Sequence, residues 1–208
     1  MVSYTITACN EEKELRVLLQ FLKSNIKDGD EVVVQLDENN ATEEVREVVK
    51  SYDNQFKSLK VIEYPLNKDF ASFKNNLKLH CSNPWIFNID ADEMPSGFLV
   101  ENLRDILSMN DELDVLIVPR WNTVEGITEE HIGKWRWNYD QMGRINWPDW
   151  QMRIYKNHPR INWVNKVHEK LDGFSKYTFL PDEKDYCLFH NKTIDRQESQ
   201  NNFYNTIG

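Results

Sequence analysis

The sequence is sparing in the features that mark several common functional classes. Only seven of its 208 residues are glycine, and none sits in a G-x-G-x-x-G or G-x-x-x-x-G-K-[ST] arrangement. A dinucleotide fingerprint and a P-loop both need such glycines for close backbone approach to phosphate, so neither is present. The three cysteines, Cys9, Cys81 and Cys187, are widely spaced and form no C-x-x-C pair. An odd, scattered set suits reduced thiols better than a disulfide framework. No apolar run approaches the ~20 residues that a membrane span requires. Met1 leads directly into VSYTITACN, without the basic start and apolar block of a signal peptide,. A cytoplasmic protein is the expectation. Net positive charge is lacking as well: 34 Asp+Glu against 25 Lys+Arg give −9. That total opposes a surface coated with nucleic-acid-binding charge, although recognition depends on where charge sits.

What the chain does have is enough apolar residue, 40%, to build a core,. Its length suits one domain. The first half alternates strand and helix patterns. Val2–Ala8 reads as a strand and leads through Cys9 and Asn10 into a helix. Leu15, Leu18, Leu19 and Leu22 share one face of that helix, with Asn10 as N-cap and Glu11, Glu12 and Glu14 in its first turn. Glu31–Leu36 is a strand of the kind buried on both faces. A helix capped by Thr42 runs to about Phe56, with Val45, Val48 and Val49 inward. Leu59–Tyr64 is a third strand, and a helix over about Ala71–His80 carries Phe73, Leu77 and Leu79 as apolar contacts. Trp85–Ile89 is a fourth strand, Phe98–Leu107 a helix and Val115–Pro119 a fifth strand. This β-α-β order predicts an α/β fold with a mainly parallel sheet and helices on both faces.

Beyond residue 120 the texture changes. Six of the seven tryptophans lie between Trp121 and Trp163. Gln151–Tyr155 and Ile161–Val167 read as strands, and residues 194–207 as a terminal helix. Residues 1–120 and 121–208 are therefore expected to form two lobes of one domain, the second smaller and rich in Trp.

Ligands of such sheets bind beyond the carboxyl ends of the strands. Cys9, Asn10, Asp37 and Asp90–Asp92 all arrive there. Asp90 and Asp92 are two apart at a strand end, so both carboxylates can face one ligand, a hard oxygen site suited to Mg²⁺ or Mn²⁺ carrying phosphates. Asp37 can accept from a ribose or base, or can open an Asx-turn. Lys74 and Asn75 lie on the helix that follows the third strand, within reach of diphosphate or nucleoside.

Together these segments resemble the nucleotide-sugar half of family 2 glycosyltransferases with the GT-A fold. TITACNEEKELRVLLQFL is similar to the opening strand and N-E-E helix of that family. EVVVQLDENNATEE is similar to its second strand with the acidic residue, and FASFKNNLKLHCSNPWIFNIDADE to its A-x-x-R-N helix, central strand and D-x-D. Lys74 stands where the family usually has Arg, and Phe70 where Gly is common. The resemblance implies a nucleoside-diphosphate sugar donor contacted by Cys9, Asn10, Glu11 and Asp37. Asp90 and Ala91 would lie at the ribose and diphosphate, with Asp92 ligating Mn²⁺ or Mg²⁺. A cation there would stabilise charge developing on the leaving diphosphate. The compact length and Asn/Lys-rich composition also resemble short bacteriophage-encoded members, which would work in the host cytoplasm.

W147-P-D-W-Q-M-R153 and W163-V-N-K-V-H-E169 are similar to the D-x-x-x-R and V-H-E elements of a glycosyltransferase subgroup. The family 2 resemblance implies inversion by single displacement, which needs a general base at the acceptor hydroxyl. Asp149 is the first candidate and Glu169 the second; a turn residue after Pro148 is the alternative for Asp149. His168 and His190 are rival metal ligands. In KWRWN the alternation sets Trp135 and Trp137 on one face of a strand, with Lys134 and Arg136 on the other. With Trp150 and Arg153 they form the candidate acceptor contacts: Trp135, Arg136, Trp137, Trp150 and Arg153. Residues 131–170 carry eight Lys/Arg against three acids, a local +5 beside −14 for the rest. The acceptor is expected to be a glycan or a hydroxymethylated base in phage DNA, the latter drawn by this basic segment. The competing classes are a metal-dependent nuclease or phosphatase and a non-catalytic carbohydrate- or nucleic-acid-binding module. The sequence leaves the oligomeric state open.

Overall fold

The computed structural model describes residues 1–205. Its strands are β1 (Val2–Ala8), β2 (Glu31–Asp37), β3 (Leu59–Tyr64), β4 (Trp85–Asp90), β5 (Glu93–Pro95) and β6 (Val115–Glu125), followed by β7 (Ile145–Lys156), β8 (Asn162–Val164), β9 (Lys170–Asp172), β10 (Tyr177–Phe179) and β11 (Leu188–Thr193). The helices are α1 (Glu12–Asn25), α2 (Glu43–Ser51), α3 (Phe70–Leu79), α4 (Gly97–Met109), α5 (Glu129–Trp135) and α6 (Ile194–Asn205). Residues 206–207 of the expected terminal helix lie outside the described residues.

Nine strands form one sheet in the order β3-β2-β1-β4-β7-β6-β11-β5, with β10 also on β6. The β3-β2-β1-β4 run is parallel. β7 enters antiparallel between β4 and β6, so the expected lobe boundary at residue 120 falls inside a strand of the common sheet. The expected strand Val115–Pro119 continues to Glu125 because β11 pairs with Arg120–Glu125 beyond the stretch that β10 covers.

Helix periodicity places the core. Leu15, Leu18, Leu19 and Leu22 are all fully buried, against β1 and β4 side chains Tyr4, Ile6 and Phe87. Each such leucine contributes on the order of 2 kcal/mol relative to exposure. A smaller cluster of Ala71, Ile86, Tyr155, Ile161 and Trp163 packs on the opposite face, under α3.

Several local expectations change. Asn10 does not cap α1: Glu11 is the N-cap residue, and its carboxylate turns back to accept from the Cys9 and Asn10 N–H groups at 2.7 and 3.0 Å. α2 stops at Ser51, well before Phe56. Leu79 is 81% exposed, and Lys78 is buried in its place because its ammonium donates to the His158 and Ile161 carbonyls. The expected strand Ile161–Val167 shrinks to β8, which pairs only with β9. Gly173, at φ 80°, ends that hairpin where a Cβ would meet the Arg160 carbonyl oxygen at 1.9 Å,.

Candidate functional site

The carboxyl ends of β1, β2 and β4 and the adjacent parts of β6, β7 and β11 open into one cleft of about 800 Å³. The parallel strands deliver their terminal residues to the same edge, which is why Cys9, Asp37, Asp90 and Asp92 line it together,.

At one end Asp37 is buried and accepts from the Asn39 and Leu66 N–H groups and from Asn40 Nδ2, so it also builds the turn after β2. Cys9 lines the wall; burial, with Glu11 beside it, pushes its thiol up to about 11. Glu11 lines the cleft, but Asn10 is exposed and does not. Asn75 also points elsewhere. Its amide pins β8 to α3 by exchanging two 2.8 Å hydrogen bonds with the Trp163 backbone. Lys74, one residue earlier, lies beneath the cleft at 3% exposure, 2.6 Å from Glu169 and 3.3 Å from Asp90.

A chain of alternating charge forms the floor. Arg153 Nη2 reaches Asp90 Oδ2 and Glu93 Oε1, both at 2.6 Å. Arg120 Nη1 reaches the same Glu93 oxygen at 2.9 Å, while its Nε and Nη2 donate to Asp149 Oδ2 at 2.9 and 2.6 Å. Glu93 is fully buried, and its other oxygen accepts from the Asp90 N–H. The series Glu169–Lys74–Asp90–Arg153–Glu93–Arg120–Asp149 thus crosses the whole floor. Burial alone would raise the Asp90 carboxyl, but the Arg153 and Lys74 charges outweigh it and hold the group well below the usual range,. Asp149 follows the same logic: burial raises it, Arg120 and hydrogen bonds from Asn122 and Gln151 lower it further, and the carboxylate stays ionised. Asp149 Oδ2 accepts three hydrogen bonds and Oδ1 one, from Gln151.

Strand register explains the arrangement. Arg120 and Asn122 lie two apart on β6 and share a face. Across one edge Arg120 is the partner of Asp149, and across the other Asn122 is the partner of His190. His190 Nδ1 lies 2.7 Å from Asn122 Oδ1, and His190 Nε2 faces Asp92 Oδ2 at 3.3 Å. Lys192 and Arg196 come within 3.6 Å of the same Asp92 oxygen. Burial would raise Asp92, but His190 and then Lys192 hold it far below the usual range. His168, the other candidate, lines the cleft next to Glu169.

One carboxylate oxygen and one imidazole nitrogen facing each other suit a divalent ion that keeps water and phosphate in the rest of its shell. Asp90 is not available to such an ion, since Arg153 and Lys74 already hold it. Among the described residues no three His, Cys, Asp or Glu side chains converge.

Aromatic residues also line the cleft: Trp137, Trp150 and Phe179, with Trp163 buried at its wall. Trp135 and Arg136 do not, and they are not in a strand. Trp135 ends α5 and Arg136 is its left-handed C-cap, which leaves the Trp135 and Trp137 rings 4.7 Å apart. Arg153 lines the cleft at 3% exposure, with its guanidinium held by Asp90 and Glu93. The basic segment is no continuous track either. Arg144 pairs with Asp140 and lies over Trp147, Arg160 pairs with Asp114, and Lys156 donates to the Asp111 carbonyl.

Sequence reasoning did not single out Glu93, Arg120, Asn122, Lys192 or Arg196. Glu93 carried a usable signal, as the acid directly following D-A-D at the end of an apolar strand. The others depend on partners far along the chain.

A sequence profile described as glycosyl transferase family 2 matches residues 3–179. No curated protein sequence matches the chain. Among solved structures, S. aureus TarS 1-349 is similar at 18% identity and a TM-score of 0.63, over 91% of this chain and 60% of that one. The same protein in complex with UDP-GlcNAc gives 18% identity and a TM-score of 0.64, over 92% and 58%. The mannosyltransferase PcManGT from Pyrobaculum calidifontis, in complex with GDP-Man and Mn2+, gives 17% identity and a TM-score of 0.50, over 59% and 41%. The chain thus spans about 60% of the TarS fragment it matches. The shared architecture is the GT-A fold, a mostly parallel sheet with flanking helices. No helix among the described residues is long and apolar enough to cross a membrane.

Proposed function

We propose, from the premise that the chain belongs to glycosyl transferase family 2, that it moves a sugar from a nucleoside-diphosphate sugar to a saccharide hydroxyl with inversion. The observation that carries this reading is the cleft itself: Asp37, Asp90 and Asp92 at strand ends, Lys74 beneath them and ionised Asp149 opposite. In this reading Cys9, Glu11 and Asp37 hold the nucleoside, and Asp90 with Ala91 borders the ribose and diphosphate. Lys74 already holds a carboxylate at either side and supplies a fixed positive charge beside the phosphates.

Asp92 and His190 would hold Mn²⁺ or Mg²⁺, which when bound would neutralise charge on the departing diphosphate. Glu169 and Asp149 each have a cationic partner, Lys74 and Arg120; Asp149 is assigned as the base because Lys74 ties Glu169 to Asp90, a residue of the donor side. Asp149 Oδ1 retains an open lone pair, whereas Oδ2 is saturated. The acceptor oxygen attacks the anomeric carbon, the bond from that carbon to the diphosphate oxygen breaks, and the acceptor proton passes to Asp149 Oδ1. Arg120, Asn122 and Gln151 keep that carboxylate in place, at the expense of base strength,.

The tryptophans at the cleft support a saccharide acceptor, since sugar rings stack on indole faces,; a DNA acceptor would rely on the exposed Lys134, Arg136, Lys166 and Lys170,. Two-metal hydrolysis finds no support: Asp90, Glu93 and Asp149 all have arginine partners within 2.9 Å. The test is a thermal-shift panel of UDP-, GDP- and CDP-sugars with and without Mn²⁺. Stabilisation by a donor, larger with the cation, is expected; no shift with any of them would overturn the reading.

A further inference from the structure

Asn122 touches both the proposed base and the histidine beside Asp92, and its two contacts constrain each other. Asp149 is ionised and can only accept, so the Asn122 group at 2.8 Å from Oδ2 must be its NH₂,. The Asn122 oxygen is thereby turned to His190 Nδ1 at 2.7 Å, and that nitrogen must carry hydrogen,. In the neutral ring the lone pair then sits on Nε2, which faces Asp92 Oδ2 at 3.3 Å,. A hydrogen on Nε2 can bridge to Asp92, and a divalent ion would take the place of that hydrogen between the two ligands. Lys192 and Arg196 lie 3.6 Å from the same Asp92 oxygen.

We infer that Asn122 is a positioning residue that fixes the Nδ1–H form of His190, presenting Nε2 to a divalent cation shared with Asp92, and that the same amide orients Asp149. Resting on the glycosyltransferase reading above, this makes one side chain on β6 responsible for the alignment of the cation ligand and the base. Register supports the assignment, because Asn122 is the strand partner of His190 and lies two residues from the strand partner of Asp149. Hydrogen-bond partners of metal-binding histidines act in this way by setting ring orientation and the free nitrogen.

The test has two readouts that need no turnover. Long-range ¹H–¹⁵N NMR of the protein without added metal, at alkaline pH, reports which nitrogen of His190 carries hydrogen. Titration with Mn²⁺ alone, followed by EPR, reports cation affinity. Wild type should show the Nδ1–H form. Asn122→Leu should lose that preference and bind Mn²⁺ about tenfold more weakly. Asn122→Asp retains an acceptor for Nδ1–H but cannot donate to Asp149. It should keep the Nδ1–H form and near-wild-type Mn²⁺ affinity, with kcat reduced and donor KM unchanged. An Nε2–H form in wild type would overturn the proposal without any variant. So would an Asn122→Asp protein that loses Mn²⁺ affinity, or an Asn122→Leu protein unchanged in both readouts. If wild type carries Nδ1–H yet binds no Mn²⁺, positioning of the ring by Asn122 stands and the cation reading fails.

Discussion

Two stretches of the chain meet at the cleft with opposite charge. The stretch ending at residue 95 brings Asp90, Asp92 and Glu93; the stretch from 120 to 196 brings Arg120, Arg153, Lys192 and Arg196, which pair with them. The local excess of +5 over residues 131–170 is only partly paired: Arg153 and Arg160 meet acids outside the segment, while Lys134, Arg136, Lys166 and Lys170 are exposed. Arg153 pairs with Asp90 and Glu93, Arg144 with Asp140 and Arg160 with Asp114, and Lys156 donates to the Asp111 carbonyl. Charge segregated along the sequence has become charge paired across the sheet. It does so because antiparallel β7 inserts the later residues between β4 and β6.

Glu93 is where that pairing is most concentrated, so its removal should break the arrangement most severely. Glu93→Ala strands Arg120 and Arg153 without their shared partner. A loss of about 3–5 kcal/mol in urea denaturation is expected. A loss under about 1 kcal/mol would mean that the buried pairs behave as surface ones.

Arg120→Gln should act more narrowly, on the pH profile. Arg120 helps hold the Asp149 carboxyl below its usual range, so wild type keeps the ionised base as pH falls until that lowered pKa is crossed. Without the guanidinium the pKa rises, and the acid limb of kcat should move to higher pH, by about one unit or more. An unmoved limb would dissociate Asp149 from the rate.

The smallest effect is expected from Lys134→Gln with Arg136→Gln, which removes exposed cations outside the cleft. Transfer and its salt dependence should stay unchanged. A flatter salt dependence would favour a polyanionic acceptor.

The strand ends that line the cleft were legible in the sequence because their logic is local. Apolar strands ending in Asp37 and in Asp90-Ala91-Asp92, and the leucine spacing of α1, depend only on residues within a few turns. What escaped was set by pairing at long range. His190 was foreseen only as one of two rivals, since its contact with Asp92 joins residues 98 apart. Arg120 and Asn122 fall beyond the strand expected to end at Pro119, and only pairing with β7 and β11 brings them into the sheet. The pairing of Arg153 with Asp90 and Glu93 was not visible either, since it joins residues 60 or more apart. The KWRWN segment failed for another reason: alternation over five residues fits a strand, but the Thr128 capping box starts a short helix instead,.

The central claim is a division of labour, with the donor held by the β1, β2 and β4 ends and the acceptor deprotonated from β7. Its most direct test is the single-turnover transfer rate of Asp149→Asn at saturating donor. The rate should fall about 10²–10⁴-fold while the donor dissociation constant stays at the wild-type value. A near-wild-type rate, or a loss explained by weakened donor binding, would contradict it.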